Sequence, residues 1–263
     1  MISGHFFPSG DKKLFVSQFG QHRSDNTILL LPSVFEEMNL CRAIIAKQAQ
    51  FLVQHGYCVY VLDYAGCGDS EGNIEQVDAG IWQQNIIDCV SWLKLQGTSS
   101  ITLWGVRFGA LLMFQQLEQI NQILTIDKLL LWKPVSKGKQ FMTQFLRLKQ
   151  ASSMIQGETK TNWRDSILAG NNTEVGGYEI TSTLLESIDG LEIPKKLSVN
   201  FPIHWLELAS NSISPAVTIQ TKHWGQSNLK LGCLEGSAFW QIPEIFVQAH
   251  LHQPTLDALE DNA

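Results

Sequence analysis

Four short apolar runs, each followed by a helix-patterned stretch or a tight turn, constrain this chain more than any other feature. Residues 28–31 (ILLL) end at Pro32, and residues 57–62 (YCVYVL) enter a turn over 63–70. Residues 101–104 (ITLW) meet a second turn at 105–109, and residues 128–132 (KLLLW) stop before Pro134. Runs that stay apolar without alternating read as strands covered on both faces. Between them the period changes. Over residues 36–55, Met38, Cys41, Ile45, Ala49 and Leu52 fall on one helical face, and Gly56 stands where a helix C-cap is expected. Residues 79–96 repeat the pattern with Trp82, Ile86, Val90 and Leu93, and a further helix is expected over 108–121. Strands separated by helices predict an α/β fold with a mostly parallel sheet flanked by helices.

The rhythm breaks after the fourth run. Residues 136–202 show no clear strand and carry helical patterns at 140–155, 163–168 and 182–188, with Phe141, Phe145, Leu148 and Ser152 along the face of the first. This stretch is expected to be a helical lid inserted within a single domain spanning 1–263. Strands resume at 203–208 (IHWLEL) and 229–234 (LKLGCL). Residues 245–251 fit an extended or a helical reading, and Pro254 is expected to divide them from a short helix at 256–259.

The turn at 105–109 carries the strongest functional signal. A strand, then G-x-x-x-G, then a helix is the layout of a nucleophile elbow, in which the glycines permit a sharp turn and the central side chain stands above the sheet. Gly105 and Gly109 are in place, and small Ala110 follows. The layout predicts an α/β-hydrolase fold. The central residue, however, is Arg107, whose guanidinium is protonated at all ordinary pH values and is no nucleophile.

Five stretches in order give a more specific resemblance. They are Pro32 through Asn39 with Glu36-Glu37-Met38-Asn39, Asp63 through Ser70 with Gly66-Cys67-Gly68-Asp69-Ser70, and Leu103 through Leu111 (LWGVRFGAL). Leu130 through Leu146 (LLWKPVSKGKQFMTQFL) and Phe239-Trp240-Gln241 complete the set. In these the chain resembles the exosortase A system-associated hydrolases of the second type, an α/β-hydrolase family of bacteria. The likeness covers most of the chain. It implies an ester or thioester (acyl) hydrolase tied to protein sorting (PEP-CTERM) and extracellular polysaccharide loci, partners from such a locus, and an Arg at the elbow as a family feature.

The remaining triad positions read as vacant. In this fold the order is nucleophile, acid, His, with the acid after a late strand and the His after the last. Ala209-Ser210-Asn211-Ser212 offers no Asp, and Glu207 lies within its strand. Glu235 to Trp240 holds no His; His250 and His252 come later, where a longer loop would have to return one of them. Cys67 and Ser70 remain as nucleophile candidates because their turn opens toward the pocket. The alternative is that Gly66 and Gly68 shape a tight turn while Asp69 and Ser70 cap the next segment. A reactive Cys67 would need an electropositive setting, which Arg107 could supply.

Glu36 and Glu37 stand where this fold usually places oxyanion-hole donors, and carboxylates there oppose acyl transfer. They read either as favourable acids in a first helical turn or as partners for Arg107. Arg107 correspondingly forms an internal ion pair or receives a carboxylate or phosphate ligand at a helix N-terminus. With Phe108 and Trp240 these residues make up the expected ligand site, an Arg107-centred pocket for an acyl or anionic small molecule. This gives a second functional reading, a non-catalytic binding protein. Trp104, Trp132, Trp205, Phe239 and Trp240 are expected as core and pocket wall; Lys133, Lys137 and Lys139 read as a solvated loop or as contacts to a phosphate or sugar acid.

Composition bounds the partners. Lys and Arg number 19 against 25 Asp and Glu, a formal net charge of −6, which disfavours a broad nucleic-acid surface. No apolar run approaches the roughly 18 residues of a membrane span, and the first residues show no secretory pattern. The five cysteines are dispersed without a C-x-x-C pair, so neither a disulfide framework nor a metal site is expected. A cytoplasmic location without cofactor is the expectation.

Overall fold

In the computed structural model, which describes residues 1–157, 161–244 and 248–261, the four apolar runs become four adjacent strands. The chain opens with β1 (Ile2–Ser9) and β2 (Lys12–Phe19), followed by β3 (Thr27–Leu31), α1 (Phe35–Gln54), β4 (Cys58–Leu62) and α2 (Ala79–Leu95). Next come β5 (Ser100–Val106), α3 (Phe108–Phe114), α4 (Leu117–Ile123) and β6 (Thr125–Trp132). The following stretch holds α5 (Gly138–Ile155), α6 (Trp163–Leu168), β7 (Thr173–Val175), β8 (Tyr178–Ile180), α7 (Ser182–Asp189) and β9 (Lys196–Leu197). The order ends with β10 (Ile203–Leu208), α8 (Pro215–Thr221), β11 (His223–Trp224), β12 (Leu229–Leu234) and α9 (His252–Glu260).

Eight strands form one sheet in the order β1-β2-β4-β3-β5-β6-β10-β12. From β4 onward neighbouring strands are parallel; β1 and β2 pair antiparallel, and β2 runs antiparallel to β4. Alternate side chains of each strand leave on opposite faces. Leu29, Leu31, Tyr60, Leu62, Leu103 and Leu129 pack on one side with α2 and α3, whereas Ile28, Leu30, Val59, Trp104, Leu130 and Trp132 pack on the other with α1 and α9. Every residue of β3 is buried, which is why its sequence does not alternate.

Several expectations need correction. The sheet begins with a hairpin, β1–β2, where the sequence reading placed its first strand at 28–31. The expected helix over 108–121 is two helices, broken at Gln115 and Gln116. The stretch 136–202, read as strandless, contains the small antiparallel pair β7–β8 and the short β9, which pairs with β11. Pro254 does not divide the C-terminal helix; it lies in the first turn of α9, where a missing N–H costs nothing. Of the ambiguous 245–251 stretch, 245–247 lie outside the described residues, and Ala249–Leu251 form a 3-10 turn. Leu148, expected on the apolar face of its helix, is 48% exposed. Among the described residues no helix is long and apolar enough to cross a membrane.

Candidate functional site

The strand order reverses between β3 and β5, and the crevice outside the carboxyl ends of such strands is where open α/β sheets bind ligands. Backbone strain marks the same edge. Phe35 follows β3 at φ 57°, Arg107 follows β5 at φ 52°, Lys133 follows β6 at φ 44°, and Ala209 follows β10 at φ 54°. Non-glycine residues held at positive φ gather at functional sites, where the surrounding structure compels them.

Arg107 occupies the elbow with φ 52° and ψ −118°. The turn is possible because helix and sheet nearly touch. A Cβ on Gly109 would lie 2.0 Å from the Leu31 carbonyl oxygen and 2.3 Å from that of Pro32, and one on Gly105 would lie 2.6 Å from Ala110 Cα. The glycines of the motif are therefore required by contact between β3, β5 and α3. The guanidinium is held on several sides. Nη2 donates to Glu37 Oε1 at 2.8 Å, Nε to Glu37 Oε2 at 3.2 Å, and Nη1 to the Lys133 carbonyl at 3.1 Å. Ser33 Oγ donates to Glu37 Oε2 at 2.8 Å, and the Trp240 ring lies over the guanidinium at 4.7 Å. The Arg107 side chain is 8% exposed and that of Glu37 17%. Such a side-on, two-bond pair is the strong form of the Arg–carboxylate contact.

A second ion pair stands beside the first. Lys133 Nζ donates to Glu207 Oε2 at 2.5 Å, and Trp205 Nε1 donates to Glu207 Oε1 at 2.7 Å. Sequence reasoning noted Glu207 only as a carboxylate inside a strand, and Ser33 not at all. Ser33 precedes the first residue of α1, so helical spacing carried no signal for its bond to Glu37. Lys137 pairs instead with Glu192 at 3.1 Å, so the three lysines after β6 do not form one basic cluster.

Two pockets open at this edge. One, of 390 Å³, has apolar walls from Val34, Leu40, Phe141, Phe145, Leu148 and Trp240. Glu36, Glu37, Gln144 and Gln241 supply its polar groups, and α5 forms one side. Its volume lies in the range of about 300–1,000 Å³ usual for small-molecule sites. The second, of 300 Å³, is lined by Arg107, Lys133, Glu207, Trp205 and Gln140 among others, and shares Gln144, Trp240 and Gln241 with the first.

The other sequence-predicted residues lie elsewhere or serve the turn. Glu36 lines the apolar pocket and makes no ion pair among the described residues. Phe108 is fully buried, stacked on Phe141 at 4.7 Å, and lines neither pocket. Cys67 is buried, and its thiol is pushed up to about 12, first by burial and then by the Asp63 carboxylate, with Arg42 opposing. Arg107 is not among the groups acting on it. Ser70 Oγ donates to the Asp63 carbonyl at 2.5 Å and accepts from Phe15 N–H at 2.8 Å, so it ties the turn to β2 rather than capping the next segment. His250 does return toward the last strand: its Nε2 lies 2.6 Å from where a Cβ on Gly236 would be. It is exposed and lines neither pocket. Among the described residues the only Ser–His contact, Ser3 Oγ to His5 Nε2 at 3.3 Å, lies on edge strand β1, far along the sheet order from β5. Among the described residues no group of three or more His, Cys, Asp and Glu side chains could hold a metal ion.

Neither a protein-family model nor a curated protein sequence matches this chain. Solved structures do. Est1E from Butyrivibrio proteoclasticus, solved with ferulic acid bound, superposes with a TM-score of 0.69 at 15% identity, covering 97% of this chain and 96% of that one. A putative hydrolase from Agrobacterium vitis S4 gives 0.67 at 13% identity, covering 99% and 98%. The mouse α/β hydrolase domain-containing protein 10 gives 0.65 at 19% identity, covering 98% of each chain. At these identities the likeness establishes the fold: this chain has the α/β-hydrolase fold.

Proposed function

We propose that this α/β-hydrolase-fold chain binds an apolar-chain small molecule in the 390 Å³ pocket beside α5, without serine-hydrolase chemistry. The observation that carries the reading is the occupied elbow. The position that would present a nucleophile presents Arg107, and Glu37 and Trp240 hold that guanidinium in place. Among the described residues no His lines either pocket, so a neighbouring hydroxyl lacks the imidazole base of the serine hydrolases. Phe141, Phe145, Leu148 and Trp240 offer the apolar contact an acyl or alkyl chain needs, and the 136–202 stretch that supplies α5 acts as the cap over it. Because Glu37 already neutralises Arg107, the site is not tuned for a free anion. Titration with straight-chain alcohols of increasing length, followed by tryptophan fluorescence, tests the reading. Affinity rising with chain length and lost in Phe145→Arg supports it; no binding at any length refutes it.

A second reading keeps the chemistry. The five stretches shared with exosortase A system-associated hydrolases support an ester or thioester hydrolase serving a sorting or polysaccharide locus in the cytoplasm. His250 beside Gly236, after the last strand, is the observation in its favour. Its nucleophile would have to be a residue other than Arg107.

A further inference from the structure

The second pocket differs from the first in chemistry, and the two share Gln144, Trp240 and Gln241 as a common wall. Its charged groups are already paired within the protein. Lys133 is matched by Glu207 and Arg107 by Glu37, so cationic and anionic groups alternate without a surplus of either. Hydrogen-bonding capacity is nevertheless left over. A guanidinium has five N–H donors, and Arg107 spends three, on Glu37 and the Lys133 carbonyl, which leaves two. The side-chain amides of Gln140, Gln144 and Gln241 make no hydrogen bond among the described residues, and each offers both a donor and an acceptor. Each Glu207 oxygen accepts one bond and has a second lone pair.

An anionic head group entering here would gain the free Arg107 donors but would face the Glu207 and Glu37 carboxylates. An ammonium would face Lys133 and Arg107. A hydroxyl both donates and accepts, so several hydroxyls would use the spare donors and acceptors together without disturbing either ion pair. The Trp240 ring, common to both pockets, adds an apolar face at the junction.

We propose that the 300 Å³ pocket receives an uncharged, hydroxyl-rich head group, and that the ligand is a neutral amphiphile whose chain lies in the 390 Å³ pocket. This rests on the apolar-chain reading above and adds the class of head group. Four probes with the same octyl chain test it, each below its micelle concentration: octyl glucoside, octanoate, octyl phosphate and octylammonium, by titration calorimetry on the full chain. Octyl glucoside is expected to bind at least about tenfold tighter than any charged probe, the scale of one or two net hydrogen bonds. Gln140→Leu, a change at an exposed position, should weaken octyl glucoside severalfold. Equal affinity for all four probes, or preference for a charged one, overturns the head-group assignment while the apolar pocket stands. No binding of any probe removes the apolar-chain reading itself.

Discussion

Arg107 and Glu37 meet side-on across the reversal point of the sheet, Nη2 to Oε1 at 2.8 Å and Nε to Oε2 at 3.2 Å. One comes from the turn after β5 and the other from the first turn of α1 after β3. The pair therefore ties together the two segments that in this fold ordinarily carry the nucleophile and the oxyanion-hole donors. Removing one partner leaves the other charge in a nearly buried place. Arg107→Met and Glu37→Gln should each lower stability by about 3 kcal/mol. The double variant should cost less than the sum, with a coupling of about 2 kcal/mol in a denaturant double-mutant cycle. Additive losses would mean the two groups act independently.

The glycine contact gives a second expectation. A Cβ at Gly109 would meet two backbone carbonyl oxygens at 2.0 and 2.3 Å, and backbone cannot step aside as a side chain can. Gly109→Ala should therefore cost more than about 3 kcal/mol or prevent folding. A midpoint of chemical denaturation close to that of the parent chain would show that α3 can shift from β3.

Much of this was legible in the sequence, and the misses have physical reasons. The central strands could be found because burial on both faces leaves an unbroken apolar signature, as in 28–31. The β1–β2 hairpin escaped because its outer strand alternates exposed and covered residues and includes Gly4, His5 and Pro8. The two-residue turn Gly10-Asp11 is the hairpin signal this segment does carry. The elbow motif announced the site, and Glu37 was within reach as a partner for Arg107. What periodicity could not supply was pairing across distant elements: Lys133 with Glu207, or Ser70 with Phe15 of β2. Phe108 looked like a pocket residue from its place in the motif, yet the helix turns its ring inward onto Phe141.

Titration of His204 gives a third expectation. It is buried in β10, and burial, assisted by Lys128 and opposed by Asp261, holds its proton affinity below the ordinary value of 6.5. The unfolded chain thus binds a proton at this residue that the folded chain resists. Stability from His204 is present above pH 6.5 and declines as pH falls below it. Denaturation midpoints measured from about pH 7 to about pH 5 should decline in the parent chain and less steeply in His204→Phe. Parallel curves for the two chains would assign the decline to other groups.

A serine placed at the elbow should not create an efficient esterase. Arg107→Ser places a serine at the elbow, but among the described residues no His lines the pockets to take its proton, and Glu37 is left without its partner. Hydrolysis of nitrophenyl esters by this variant should stay at the rate of the parent chain. A gain of several hundredfold would mean that His250 reaches the elbow when the pocket is filled.

The most direct test of the account is covalent labelling of the unaltered protein with a fluorophosphonate, read by intact mass and peptide mapping. Such reagents report a serine made nucleophilic by a base. With Arg107 at the elbow, no adduct is expected under conditions that label an active esterase to completion, and no turnover of short-chain or long-chain esters. A stoichiometric adduct on a single serine, accompanied by turnover, would contradict it and would identify the nucleophile by its position.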